Sequence, residues 1–93
     1  MGLLRMLVRP VKWYHMAADQ GLAGAQYALG RHYEDGRGVI KSSKDAIKWY
    51  EKCLINGGRG ICAWALSVAY GNGHGALKND IMAYAYKIIA LAL

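Results

Sequence analysis

The chain has 93 residues, enough for one domain and no second. Hydrophobic residues make up 55% of it, too many for a disordered tail, yet no apolar run reaches the roughly 18 residues that a spanning helix needs. The formal charge of +6, from 12 Lys and Arg against 6 Asp and Glu, does not bear on fold; it suggests acidic surfaces as partners.

Met1 to Val8 carries a basic residue among apolar ones. It lacks a long apolar core followed by a small-residue cleavage site, so no signal peptide is read and the compartment is left unassigned. Gly2 is not in a myristoylation motif, because Met6 stands where Ser or Thr is needed. Leu3 to Arg9 reads either as a helix packed on the first hairpin or as a segment dipping into a membrane surface. Pro10 opens a helix to about Gln20, its missing N–H costing nothing in a first turn. Ala25, Leu29 and Tyr33 recur at helical spacing and predict a second helix over 23–35, ended by Gly36 at the C′ position. After a loop over 36–41, Ser42 is a natural N-cap, with Asp45 three residues on in a capping-box pattern. The third helix runs to about Ile55, with Ala46, Trp49, Tyr50 and Cys53 on one side, and Asn56-Gly57 stops it. A fourth helix is expected near 61–70, then a loop over 71–78, a cap at Asn79 and a fifth helix to the C-terminus.

The chain repeats itself. Lys12-Trp13-Tyr14 recurs as Lys48-Trp49-Tyr50, and Gly21 as Gly57, both 36 residues on. The offset then becomes 37: Leu29 matches Leu66, Tyr33 matches Tyr70, Gly36 matches Gly73, Gly38 matches Gly75 and Ala46 matches Ala83. One extra residue in Gly57-Gly58-Arg59-Gly60 accounts for the change. A period in the thirties signals stacked helical hairpins. The chain is therefore read as a single domain over 1–93: one helix over 10–20, a first repeat at about 21–56 and a second at about 57–93.

The run Ala25-Gln26-Tyr27-Ala28-Leu29-Gly30, with Tyr33, Gly36-Arg37-Gly38-Val39 and Ala46-Ile47-Lys48-Trp49-Tyr50, resembles the Sel-one-like repeat, a relative of the tetratricopeptide repeat. The second unit departs from the pattern, with Ser67 at the Gly30 position and Ala76 at the Val39 position. The resemblance implies an all-α fold: a right-handed α-α superhelix of antiparallel hairpins, here about five helices. It also implies an adaptor or scaffold, in a family with many bacterial members. Residues out of phase with the core would then line a concave groove: Tyr27, Arg31 and Glu34 in the first unit, Trp64 and Val68 in the second. Exposed Tyr, Trp and Arg are the usual anchors of a binding surface. The bland alternative is that Tyr27 and Trp64 pack between neighbouring hairpins.

The cysteine-rich branch of the family staples neighbouring helices across a comparable bend. Cys53 and Cys62 flank the bend 56–60, one position off that register, and two readings stay open: a bridge, or two free thiols in place of alanines. That branch has also been linked to penicillin binding, which makes a hydrolase the alternative function. Ser42, Ser43 and Ser67 lie in no Ser-x-x-Lys or Gly-x-Ser-x-Gly motif, so no catalytic residue is assigned. His15, His32 and His74 lack metal-ligand spacing, so no metal or other cofactor is assigned. Gly71-Asn72-Gly73-His74-Gly75 joins two helices, whereas a nucleotide fingerprint comes after a strand. Lys41, Lys44, Lys48 and Lys52 form a basic stripe, the last three on one helix face, read as a solvated face rather than a patch for acidic protein or for the phosphate backbone of nucleic acid; no reader fold or exposed aromatic accompanies it. The last helix is apolar on more than one side, so the chain is read as part of a longer array or as self-associating through Ile88, Ile89 and Leu91.

Overall fold

Glycines and side-chain caps set the helix boundaries in this computed structural model, which describes residues 10–92, with side chains from Lys12 onward. The expectations placed on 1–9 and on Leu93 lie outside the described residues. Five helices succeed one another: α1 (Pro10–Asp19), α2 (Ala23–Asp35), α3 (Ser43–Ile55), α4 (Arg59–Asn72) and α5 (Asp80–Leu91). Gly36 and Gly73 end α2 and α4 in the left-handed region, at φ 71° in both cases, where an L side chain would be strained. Ser42 Oγ accepts from Asp45 N at 3.2 Å, and Asn79 Oδ1 accepts from Met82 N at 3.0 Å, capping α3 and α5.

The 37-residue offset holds in the hydrogen bonding of the loops as well. Arg37 N–H donates to His32 O and His74 N–H to Ala69 O; Ser42 N–H returns to Tyr33 O and Asn79 N–H to Tyr70 O. The same loop is built twice. α4 exceeds its expected range at both ends. Gly60 and Gly71 weaken the local helical signal there, but tertiary packing carries the helix through them.

Substantial helix–helix contacts join sequence neighbours, as in a one-dimensional stack. The outcome is an all-α right-handed superhelix measuring 49 × 25 × 16 Å. Its radius of gyration, 13.8 Å, exceeds the roughly 12 Å of a globular chain of this length.

Leu29, Tyr50, Leu66, Cys53 and Cys62 are the largest fully buried side chains. Gly30 makes room for one of them. A Cβ there would meet the Tyr50 ring, with Cδ1 at 2.7 Å. Trp49 is half-buried. It rests on the small cluster of Ala18, Ala25 and Leu29, with His15 edge-on at 5.6 Å and Lys52 Nζ 4.5 Å from its centroid. Gln26 is buried and ties three helices. Its Nε2 donates to Ala18 O at 3.0 Å, and its Oε1 accepts from Asn56 Nδ2 at 3.1 Å. Cys53 and Cys62 stand with Cα atoms 6.1 Å apart, in bonding geometry, and a Cβ on Gly58 would strike Cys53 Sγ. α5 has no buried residue.

Candidate functional site: a concave groove

α2 and α4 are the first helices of their hairpins, and each turns residues one turn apart to the same side: half-buried Tyr27 and exposed Arg31 on α2, exposed Trp64 and Val68 on α4. All five groove residues expected from the sequence line one cavity of about 260 Å³, together with Asp35, Tyr50, Ile61 and Ala65. A second cup of about 390 Å³ shares Trp64 and Val68 and continues to Asp80, Tyr84 and Lys87 of α5. The two cups adjoin at Trp64 and Val68, which line both. Trp64 is 48% exposed and Val68 40%, so neither is spent on the core.

Tyr27 serves both readings given to it. Its ring is half-buried and lies 5.9 Å from the Tyr50 ring, while its hydroxyl accepts from Arg31 Nη1 at 3.1 Å. That bond fixes the guanidinium in the groove. Tyr50 hydroxyl donates to Glu34 Oε2 at 2.5 Å, which fixes the carboxylate beside it. Burial first, and then the bond to Glu34, push the Tyr50 hydroxyl well above the usual tyrosine range, so it remains a donor. Sequence reasoning missed the Tyr50 hydroxyl because the residue reads as core. It missed Ile61 too, although Ile61 precedes Trp64 by three residues on one helix and falls on the same face.

The groove does not share the charge of the chain. Glu34, Asp35 and Asp80 line it, half of the 6 carboxylates, and among the described residues its cations are Arg31 and Lys87. Lys44, Lys48 and Lys52 are exposed on α3 and are not part of it. An acidic partner of the kind suggested by the net charge would meet Arg31 and Lys87 in this lining, against three carboxylates.

Other candidate sites stay apart. His15 packs between Tyr33 and Trp49, and His32 lies 5.4 Å from Tyr14. Among the described residues no group of three or more His, Cys, Asp or Glu side chains could hold a metal ion. Ser42 caps α3, and Ser67 Oγ donates to Trp64 O at 2.7 Å. Ile88, Ile89 and Leu91 are exposed. The repeat counterparts of Lys44, Lys48 and Lys52 are Ile81, Ala85 and Ile89, so the solvated stripe of α3 becomes apolar on α5. No helix among the described residues is long and apolar enough to cross a membrane.

Stacked antiparallel helix hairpins define an α-solenoid repeat protein. The Sel1 repeat profile matches residues 11–22, 23–52 and 60–87, and the chain belongs to the Sel1 repeat family. It is similar to the Sel1 repeat protein from Oxalobacter formigenes, with TM-score 0.84 and 32% identity over 88% of this chain and 62% of that one. It is also similar to c5321, a protective antigen of uropathogenic Escherichia coli strains displaying an SLR fold. There the TM-score is 0.87, with 30% identity over 91% of this chain and 18% of that one. A 45-residue segment, 48% of the chain, is 44% identical to the chitin synthase regulator SKT5 of Saccharomyces cerevisiae and to chitin synthase regulatory factor 3 of Schizosaccharomyces pombe. It spans 6% and 5% of those proteins. Similar proteins thus occur in fungi as well as in bacteria.

Proposed function

We propose that this chain is a protein-interaction module that holds a peptide or protein segment along its concave groove, and that it performs no chemistry on it. The observation that carries this reading is the convergence of Tyr27, Arg31, Glu34, Trp64 and Val68 on one cavity. A half-exposed Trp beside a fixed Arg and Tyr suits a binding hot spot. The relatives support it: fungal chitin synthase regulators and a bacterial antigen have the repeat in common, and holding another protein is a task that needs only the repeat.

The test is partner capture from an extract of the source cells with the purified chain, compared with Trp64→Ala/Arg31→Ala. The captured protein should be lost with the variant while circular dichroism stays unchanged. Retention of the same protein by the folded variant would refute the groove. Tyr27→Ala/Arg31→Ala should also lose the partner, but because Tyr27 packs on Tyr50 this pair costs stability as well.

A further inference from the structure

Three features of the groove specify the chemistry of its occupant. First, its lining carries more carboxylates than cations although the chain as a whole is basic, and Glu34 and Asp35 sit together in the smaller cup. Second, the face of Trp64 already receives a cation from its own chain, with Lys87 Nζ 5.7 Å from the ring centroid. Tyr27 offers another aromatic wall close to Glu34. Third, Trp64 and Val68 line both cups, so an occupant of one cup borders the other.

Resting on the groove reading, we propose that the occupant is an extended peptide with a lysine or arginine. Its cation enters the cup of Glu34 and Asp35 between the Tyr27 and Trp64 rings, and an apolar side chain of the same peptide sits in the cup of Val68 and Tyr84. The cation meets two carboxylates and aromatic faces. An acidic side chain in the same place would meet those carboxylates, with Arg31, engaged by Tyr27, and Arg37, 3.7 Å from Asp35, as the cations at hand. The lysine stripe on α3 lies outside the groove and does not repel such a peptide at contact distance.

The test is selection from a random peptide library displayed on phage against the full purified chain, followed by fluorescence anisotropy with the selected peptides. Selected sequences should be enriched in Lys or Arg with an apolar residue nearby. Glu34→Gln/Asp35→Asn should weaken them at least tenfold with the helical spectrum unchanged; Asp35→Asn alone, which leaves the Tyr50 bond in place, should weaken them less. Enrichment in Asp or Glu, or affinity indifferent to the double variant, overturns the basic occupant. If such peptides are nevertheless lost with Trp64→Ala, the groove stands and only its chemistry was misassigned. If no peptide is selected, or all ignore Trp64→Ala, the groove reading falls and this inference with it.

Discussion

Gly30 and Gly24 lie on the same helix, and replacing each by alanine should move stability in opposite directions. Alanine favours a helix over glycine by up to ~1 kcal/mol, and at Gly24 nothing lies within 4 Å of the added Cβ. Gly24→Ala should therefore stabilise the protein. At Gly30 the same methyl would enter the Tyr50 ring, with Cδ1 at 2.7 Å and Cζ at 2.9 Å. The ring is 1% exposed and tethered by its hydroxyl to Glu34, so it has nowhere to move without losing packing or the bond. Overpacking of this kind costs ~1–3 kcal/mol, and a hydrogen bond to a charged group ~1.5–3 kcal/mol. After subtracting the propensity gain, Gly30→Ala should lose about 2 kcal/mol, a melting temperature lower by roughly 10 °C for a domain of this size. Thermal unfolding of both variants under one buffer condition is the assay. A Gly30→Ala protein as stable as the parent would show that the Tyr50 ring can yield and that the α2–α3 contact is loose. The second repeat contains its own control: Ser67 occupies the Gly30 position where Lys87 occupies the Tyr50 position, so the ring that forbids a side chain is missing there.

Burial and pairing give three further expectations. We propose that Cys53 and Cys62 form a bridge; thiol titration of unreduced, denatured protein should find no reactive group, and two per chain would eliminate it. With a sequence separation of 9 residues, Cys53→Ala/Cys62→Ala should cost about 2–3 kcal/mol by loop-closure entropy. Burial raises Tyr50 above its ordinary value, and Tyr70 and Tyr86 likewise. A raised folded value stabilises below the unfolded value near 10 and is lost as pH climbs through and beyond it. The denaturant midpoint should fall above about pH 10, and less steeply for Tyr50→Phe; identical slopes would remove Tyr50 from the account. Finally, Ile88 and Leu91 are 50% and 73% exposed, and we propose that the chain self-associates through this helix. Sedimentation should show mass rising with concentration and Ile88→Lys/Leu91→Lys should abolish the rise, whereas a monomer at every concentration would refute it.

What the sequence determined by itself was whatever depends on near neighbours in the chain. Ser42 with Asp45, Asn79, Gly36 and Gly73 act within a turn of the backbone they cap, so the bounds of α2 and α3 could be read directly. The period of 36–37 residues announced stacked hairpins, because identical units can bury their apolar faces only against one another. The phase of Arg31 against Ala25 and Leu29 placed it off the core, whereas Tyr27 is half-buried against Tyr50. Tertiary structure decided what depends on distance between hairpins. It turned Tyr50 from a core ring into the partner of Glu34, brought residues 27–35 and 61–68 to one cavity, and set Gln26 between Ala18 and Asn56. It also separated the charge of the groove from the charge of the chain. Net charge sums side chains regardless of direction, whereas a partner meets only those that the superhelical curvature turns inward.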